Sequence, residues 1–300
     1  MVNPNAKTCI DTLNDITNEL IKHYLEPPKS TLINTQDFRL RRIYQRIIEV
    51  ENKVSSFHSD GYIAFYSTLG LYYSAIGKTE KAKNFYSRAM NLKPDDLADL
   101  ANYNATLLKN GDFAEVEKNI RENFRGPITD ISSLSTLYQI GVRNLDFSWF
   151  LESYLPIRHK DILSEESKHR MERLYQSTKS FDNFSKDLKQ IGISEEKFSD
   201  FYALLNKFYY SKFRGYLNTK FWIENDDEQY LVVDIYANIT IDEASKLSSE
   251  FDNMLVNYSL EKGDKSFLSQ FLVYYKPYEL LEDDETIGDA YLGMDDGMEV

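Results

Sequence analysis

Cysteine is nearly absent from this chain. Cys9 is the single thiol among 300 residues, so no disulfide can form within the chain, and the composition fits a reducing compartment. Long apolar runs are missing too, and no window approaches the roughly 20 apolar residues of a membrane-spanning helix. The opening residues, "MVNPNAKTCIDTLNDITNEL", hold neither an unbroken apolar core nor a small-residue cleavage pattern. No secretory signal is therefore expected, and a cytoplasmic location is. Histidine occurs four times. His23 and His58 stand alone, and His159 and His169 lack any Cys-x-x-Cys or His-Glu-x-x-His spacing, so no metal site is expected from them. No glycine-rich phosphate loop follows a strand pattern, no Gly-x-Ser-x-Gly elbow occurs, and Cys9 has no local support as a nucleophile. No cofactor is expected.

Positive charge is short as well. The formal net charge is −13, and the stretch from Glu279 to Val300 holds nine acids and no Lys or Arg. The remaining residues carry 39 acids against 35 bases, which leaves them close to neutral. A nucleic-acid surface would show a basic excess or stripe, so nucleic acid is not an expected partner. What the chain does have is aromatic residues: 22 Tyr and 18 Phe, against 2 Trp. Tyrosine suits helix packing with a polar tip at the surface, and it suits interfaces. At 42% apolar and 28% charged, the chain reads as globular, with a substantial core.

The densest pattern runs from Tyr66 to Pro94, "YSTLGLYYSAIGKTEKAKNFYSRAMNLKP". Tyr66, Leu69 and Tyr73 recur at steps of three and four, as do Ala82, Tyr86 and Ala89, so each segment presents one helical face. Gly70 and Ala82 let two helices approach closely. Gly77 ends the first helix and Pro94 halts the second. Over Ile63 to Asp96 this pattern resembles a tetratricopeptide repeat, with Tyr66 where tryptophan is commonest. One helical pair cannot bury its own apolar face, so neighbours are expected. A second unit from Leu97 offers Leu100, Tyr103, Leu107, Val116 and Ile120, with Asn104 at the close-packing position. A third from Ile131 offers Leu134, Leu137, Phe150 and Tyr154. There Tyr138 fills the close-packing position, so that segment is either a repeat or another helical hairpin.

The flanks complete the expected organisation. Ile10, Leu13, Ile16, Leu20, Ile21 and Tyr24 form one stripe ahead of Pro27-Pro28, and Leu40, Ile43, Ile47, Val50 and Val54 form another. These give an N-terminal helical hairpin over residues 1–60, repeat-like hairpins over 61–160 and further helices over 161–215. After these the period changes. "TKFWIENDDEQYLVVDIYA" alternates as a β-hairpin with Leu231, Val233, Ile235 and Ala237 on one face and Asp234 on the other. Thr240 and Glu243 form a capping box for a helix that stops at Gly263, and "SFLSQFLVYYKP" reads as a third strand. The fold class expected is mainly α, a helical-hairpin solenoid followed by a small strand–strand–helix–strand α+β module over residues 216–278. Residues 279–300 form an acidic tail, expected to be disordered, with a solubilising role or a docking or self-masking one through Tyr291, Leu292 and Met294.

The resemblance implies a curved scaffold whose concave side binds peptides or protein surfaces, with the first helix of each unit lining it. The inward residues would be Ala64, Ser67, Leu71 and Ser74, then Ala98, Ala101, Ala105 and Leu108. They are small and largely uncharged. Family members that grip a C-terminal carboxylate use Lys, Arg and Asn; Asn102 occupies one such position without the accompanying bases. The function expected is therefore non-catalytic: an adaptor, chaperone or inhibitor that binds a protein or peptide, with the acidic tail as a second contact for a basic partner. A peptide-responsive regulator is an alternative. So is a metal-dependent enzyme using Asp226, Asp227 and Asp234, although Asp and Asn are ordinary hairpin-turn residues and Asp234 on a strand can simply face solvent. The oligomeric state is left open.

Overall fold

The computed structural model describes residues 4–22, 31–34, 36–54, 59–94, 96–123, 131–160, 164–214, 217–225 and 229–280. The architecture is mainly α, with a small sheet region toward the C-terminus. The chain divides into two compact units: Met1–Ile120 with Tyr209–Gly215, and Arg121–Phe208 with Tyr216–Val300. No described helix is long and apolar enough to cross a membrane. Tyr24 and Pro27-Pro28, His23, His58, Asp226, Asp227 and residues 281–300 lie outside the described residues.

The first unit is built of antiparallel helices. Helices α1 (Pro4–Leu20) and α2 (Phe38–Val54) pack on each other and on α3 (Ser59–Ala75). In turn α3 packs along α4 (Thr79–Leu92), and α4 along α5 (Leu97–Asn110), which α6 (Phe113–Asn123) follows. Leu13, Ile16 and Leu20 of α1 are buried with Leu40, Ile43 and Ile47 of α2, the stripes the periodicity marks. Where α3 meets α4, Gly70 lies against Tyr86. A Cβ built on Gly70 would come within 2.7–2.9 Å of three Tyr86 ring atoms, so only glycine allows the buried ring to sit there. Ala82 and Ala89 are fully buried beside it. Gly77, with φ +69°, and Gly111, with φ +80°, end α3 and α5 in the left-handed conformation that glycine adopts without strain. Asp96 caps α5, accepting from the backbone N–H groups of Ala98 and Asp99. Two short strands, β1 (Thr31–Leu32) and β2 (Phe213–Arg214), pair antiparallel. The buried Arg214 donates from Nε to the Ala75 carbonyl at 2.8 Å.

A polar clamp ties α4 to the residues that follow α5. Lys83 Nζ lies 2.9 Å from Asp112, 3.7 Å from Glu115 and 3.8 Å from Glu80, and the Tyr103 hydroxyl donates to Glu115 at 2.5 Å. Burial alone would lower the Lys83 pKa; the Asp112 hydrogen bond and charge, then Glu115 and Glu80, hold it above its ordinary value. Lys83→Met strips three carboxylates of their shared cation and is expected to cost about 1–3 kcal/mol, read as a drop in the thermal midpoint. A loss under about 0.5 kcal/mol would mean that solvent screens the cluster.

In the second unit α7 (Ile131–Asn144) and α8 (Ser148–Tyr154) form a hairpin with Leu134, Leu137, Phe150 and Tyr154 buried. The close approach falls elsewhere than the repeat spacing puts it. Tyr138 is itself core, packed on Phe147 and Phe150. The small residue is Gly141, where an added Cβ would meet Phe147 at 2.6 Å. Helices α9 (Glu165–Gln190) and α10 (Glu195–Lys212) follow, with Ser164 capping the first.

A three-stranded sheet then forms in the order β3 (Asn218–Asn225), β4 (Gln229–Ala237), β5 (Phe271–Pro277). The first pair is antiparallel. The second is parallel, joined through α11 (Ile241–Lys262), as a parallel connection requires. Thr240 and Glu243 make the expected capping box. The segment read as one strand from Ser266 departs from that reading: Ser266–Gln270 is a short helix, α12, and pairing begins at Phe271. There the α10 ring of Phe201 stacks on Phe271 at 4.2 Å, and packing of this kind overrides the alternation. Leu231, Val233, Ile235 and Ala237 are buried, as the alternation predicts, but so are Val232, Asp234 and Tyr236. Asp234, which could have faced solvent, is 2% exposed.

Candidate functional site

A pocket lies wholly within the first unit, between α2, α3 and α4. It encloses about 250 Å³, just below the roughly 300–1,000 Å³ typical of sites that engulf a small molecule, and is of a size for one large side chain. From α2 come Tyr44, Ile48 and Glu51, spaced four and three. From α3 come Tyr62, Phe65, Tyr66, Leu69 and Tyr73. From α4 come Phe85 and Arg88. Each set is a single helical face. The pocket exists because α3 carries large apolar residues all round its circumference, more than α1, α2 and α4 together cover.

The walls are stacked rings. Tyr73 lies parallel to Phe85, 5.4 Å between centroids and 2° between planes. Tyr66 leans on Phe85 at 6.2 Å and Tyr62 on Tyr66 at 6.1 Å. Tyr44 meets Tyr73 edge-on at 6.5 Å and stacks on Tyr72 at 5.1 Å. Two cations lie on these rings: Arg88 over Tyr66 at 5.7 Å and over Phe85 at 5.5 Å, and Lys81 over Tyr73 at 5.3 Å, each a favourable cation–π geometry. Burial, then the hydrogen bond with Tyr44 and the charges of Tyr44 and Tyr72, push the Tyr73 hydroxyl up to about 12. It is therefore a protonated donor across the neutral range. Arg88, Lys81 and Glu51 are exposed, and none has an ion-pair partner among the described residues.

The residues expected to line a groove turn elsewhere. At 100° per residue, Ser67, Leu71 and Ser74 lie on α3 about 150° around from the centre of the pocket stripe. Leu71 is 4% exposed and belongs to the core. The Ser67 hydroxyl donates to the Ile63 carbonyl at 2.8 Å, and Ser74 is half-buried. On α5, Ala98 is exposed, while Ala101, Asn102, Ala105 and Leu108 are half-buried. Tyr66 and Tyr73, read from the sequence as the hairpin's own packing stripe, are half-buried and wall the pocket; Tyr86 supplies the ring at the centre of the hairpin.

The enzymatic alternative rests on Asp234, since Asp226 and Asp227 lie outside the described residues. Asp234 faces Lys220 across the β3–β4 pair and Tyr274 across the β4–β5 pair. Its Oδ2 accepts from the Lys276 ammonium, which also sits 5.4 Å from the Trp222 ring centroid. Its Oδ1 is buried with no hydrogen-bond partner among the described residues. Burial raises the Asp234 carboxyl above its ordinary value, against the opposing pull of Lys276, Lys220 and Tyr236. Among the described residues no group of three or more His, Cys, Asp or Glu side chains gathers where it could hold a metal ion. Compared with protein-family models, with curated proteins and with solved structures, the chain matches none.

Proposed function

We propose that the chain is a non-catalytic interaction protein whose first unit binds a peptide segment of another protein, with the α2–α3–α4 pocket as its anchor site. The observation that carries this reading is the pocket itself: four tyrosines and two phenylalanines, opening to the surface, with charged groups at its rim that have no ion-pair partner among the described residues. Aromatic pockets of this kind take one buried side chain and supply most of an interface's binding energy from a few contacts. The hairpins Ser59–Leu92 and Leu97–Asn123 are read as tetratricopeptide-like, and cytoplasmic peptide recognition suits both that reading and the single cysteine.

The test is selection of random displayed peptides on the full chain. The expected result is a set of binders that share one large apolar residue and lose about tenfold or more in affinity against Phe85→Ala or Tyr66→Ala. Phe85 and Tyr66 are half-buried at the surface, so unchanged circular dichroism separates lost binding from lost folding. Selected peptides that bind both variants as they bind the unmodified chain would overturn the reading.

A further inference from the structure

We infer that the pocket between α2, α3 and α4 takes an acidic peptide segment: an aromatic or large aliphatic side chain enters among the rings while flanking carboxylates meet Arg88 and Lys81. This inference rests on the peptide-binding reading and adds the chemistry of the partner.

Ring faces of electron-rich aromatics attract cations, so a pocket walled by four tyrosines and two phenylalanines could serve a ligand ammonium. Here those faces are occupied. Arg88 covers Tyr66 and Phe85, and Lys81 covers Tyr73, at 5.3–5.7 Å. A ligand cation would meet two protein cations at the same rings and be repelled. What remains on offer is the outward side of those cations. The guanidinium of Arg88 lies over the rings without an ion-pair partner among the described residues, and its N–H donors suit a carboxylate bound in pairs.

Charge along the rim points the same way. Arg88 lines the pocket and Lys81 lies over its Tyr73 ring, so two cations stand against Glu51. This local excess of positive charge stands out in a chain of net charge −13. Opposite charge across an interface steers encounter and fixes register. Glu51, on the α2 wall, restricts where the acids can lie: they belong on the α4 side, and the ligand's donors on the α2 side. The face used is the one turned away from Ser67, Leu71 and Ser74.

The experiment measures fluorescence anisotropy of labelled peptides of equal length against the full chain. One has Asp and Glu on both sides of a central Tyr, one has the same acids around Gly, one has Lys around Tyr, and one has trimethyl-lysine in place of Tyr. The expected result is saturable binding of the acidic Tyr peptide alone, weakened about tenfold or more by Arg88→Gln and several-fold by Lys81→Gln. Glu51→Gln is expected to tighten it about threefold, and rising salt to weaken it. All three substituted residues are exposed, so folding is not at stake. Tighter binding of the Lys or trimethyl-lysine peptide, or equal affinity of the acidic Tyr peptide for Arg88→Gln, would overturn the inference. So would a dimer in sedimentation that Phe85→Ala dissolves, because a second copy would then fill the pocket. If the acidic peptide fails while library-selected peptides still depend on Phe85, only the charge assignment falls. If no peptide depends on Phe85, the peptide-binding reading falls with it.

Discussion

Replacing Lys276 by Met is expected to destabilise the second unit by about 2–3 kcal/mol at pH 7, while Asp234→Asn leaves it within about 1 kcal/mol of the unmodified chain. The asymmetry follows from where the charges sit. Asp234 is 2% exposed on the central strand, and its partner Lys276 has 35% of its side chain in solvent. Removing the lysine leaves a buried carboxylate with one oxygen already lacking a hydrogen bond among the described residues and with the opposing pull of Lys220 and Tyr236 alone to favour its charge among the causes that remain. Removing the acid leaves an ammonium that turns to water. Protonation caps the cost, because a buried carboxyl can always bind a proton. From an ordinary value near 3.9, holding it protonated at pH 7 costs about 4 kcal/mol, and at pH 5 about 1.5.

The pH dependence has a definite sign. The folded carboxyl binds its proton more tightly than the unfolded one, so the folded state holds more protons between the ordinary value and the raised one. Its contribution to stability is intact below the ordinary carboxylate value and is lost as pH climbs to the folded value. Lys276→Met raises the folded value further and widens that window, so the gap between variant and parent closes as pH falls from 7 to 5. Asp234→Asn removes the dependence altogether. Both tryptophans, Trp149 and Trp222, belong to the second unit, so tryptophan emission during denaturation reads these changes directly. A Lys276→Met loss under about 1 kcal/mol at pH 7 would show that water reaches Asp234 and that the pair is an ordinary screened ion pair.

Asp234 also marks the boundary of what the sequence makes legible. Alternation along Leu231, Val233 and Ile235 identifies a strand and its inner face, because period-two patterning is a local property. The environment of Asp234 depends on Lys276, 42 residues away, brought alongside by a parallel pairing that no local pattern encodes. The pocket is similar. Its α3 and α4 residues lie within the most regular stretch of the sequence, yet Tyr66 and Tyr73 read there as packing between two helices. They do pack on Phe85 of α4; that they wall a cavity as well depends on Tyr44, Ile48 and Glu51 of α2, whose stripe reads as an ordinary seam. In the α7–α8 hairpin the repeat spacing points to Tyr138, while Phe147 packs against Gly141. Spacing identifies a hairpin; which small residue admits which ring is decided by the facing helix. Caps are read more securely, as at Thr240 and Glu243, because both partners lie within one turn.

Gly70→Ala is expected to destabilise the first unit by about 1–2 kcal/mol, and Gly70→Val by about 3. On propensity alone the sign should be opposite, since alanine in a helix interior gains about 1 kcal/mol over glycine. Sterics decide against it. The added Cβ would lie 2.7 Å from Cε1, 2.8 Å from Cζ and 2.9 Å from Cδ1 of Tyr86, well inside the roughly 3.5–4.0 Å of a relaxed carbon contact. Tyr86 is 1% exposed between Ala82 and Ala89, so the ring cannot swing to solvent, and α3 must move off α4 at an overpacking cost of about 1–3 kcal/mol. The clash is with ring carbons and not the hydroxyl, so Tyr86→Phe is expected to leave the effect of Gly70→Ala unchanged. In a Tyr86→Leu background the ring edge is gone and space is left behind. There the same Gly70→Ala change is expected to become neutral or stabilising, a reversal that thermal melting by circular dichroism of the four variants reads as coupling between two contacting residues. Equal destabilisation in both backgrounds would mean that Gly70 is required for its backbone and not for the ring that packs against it.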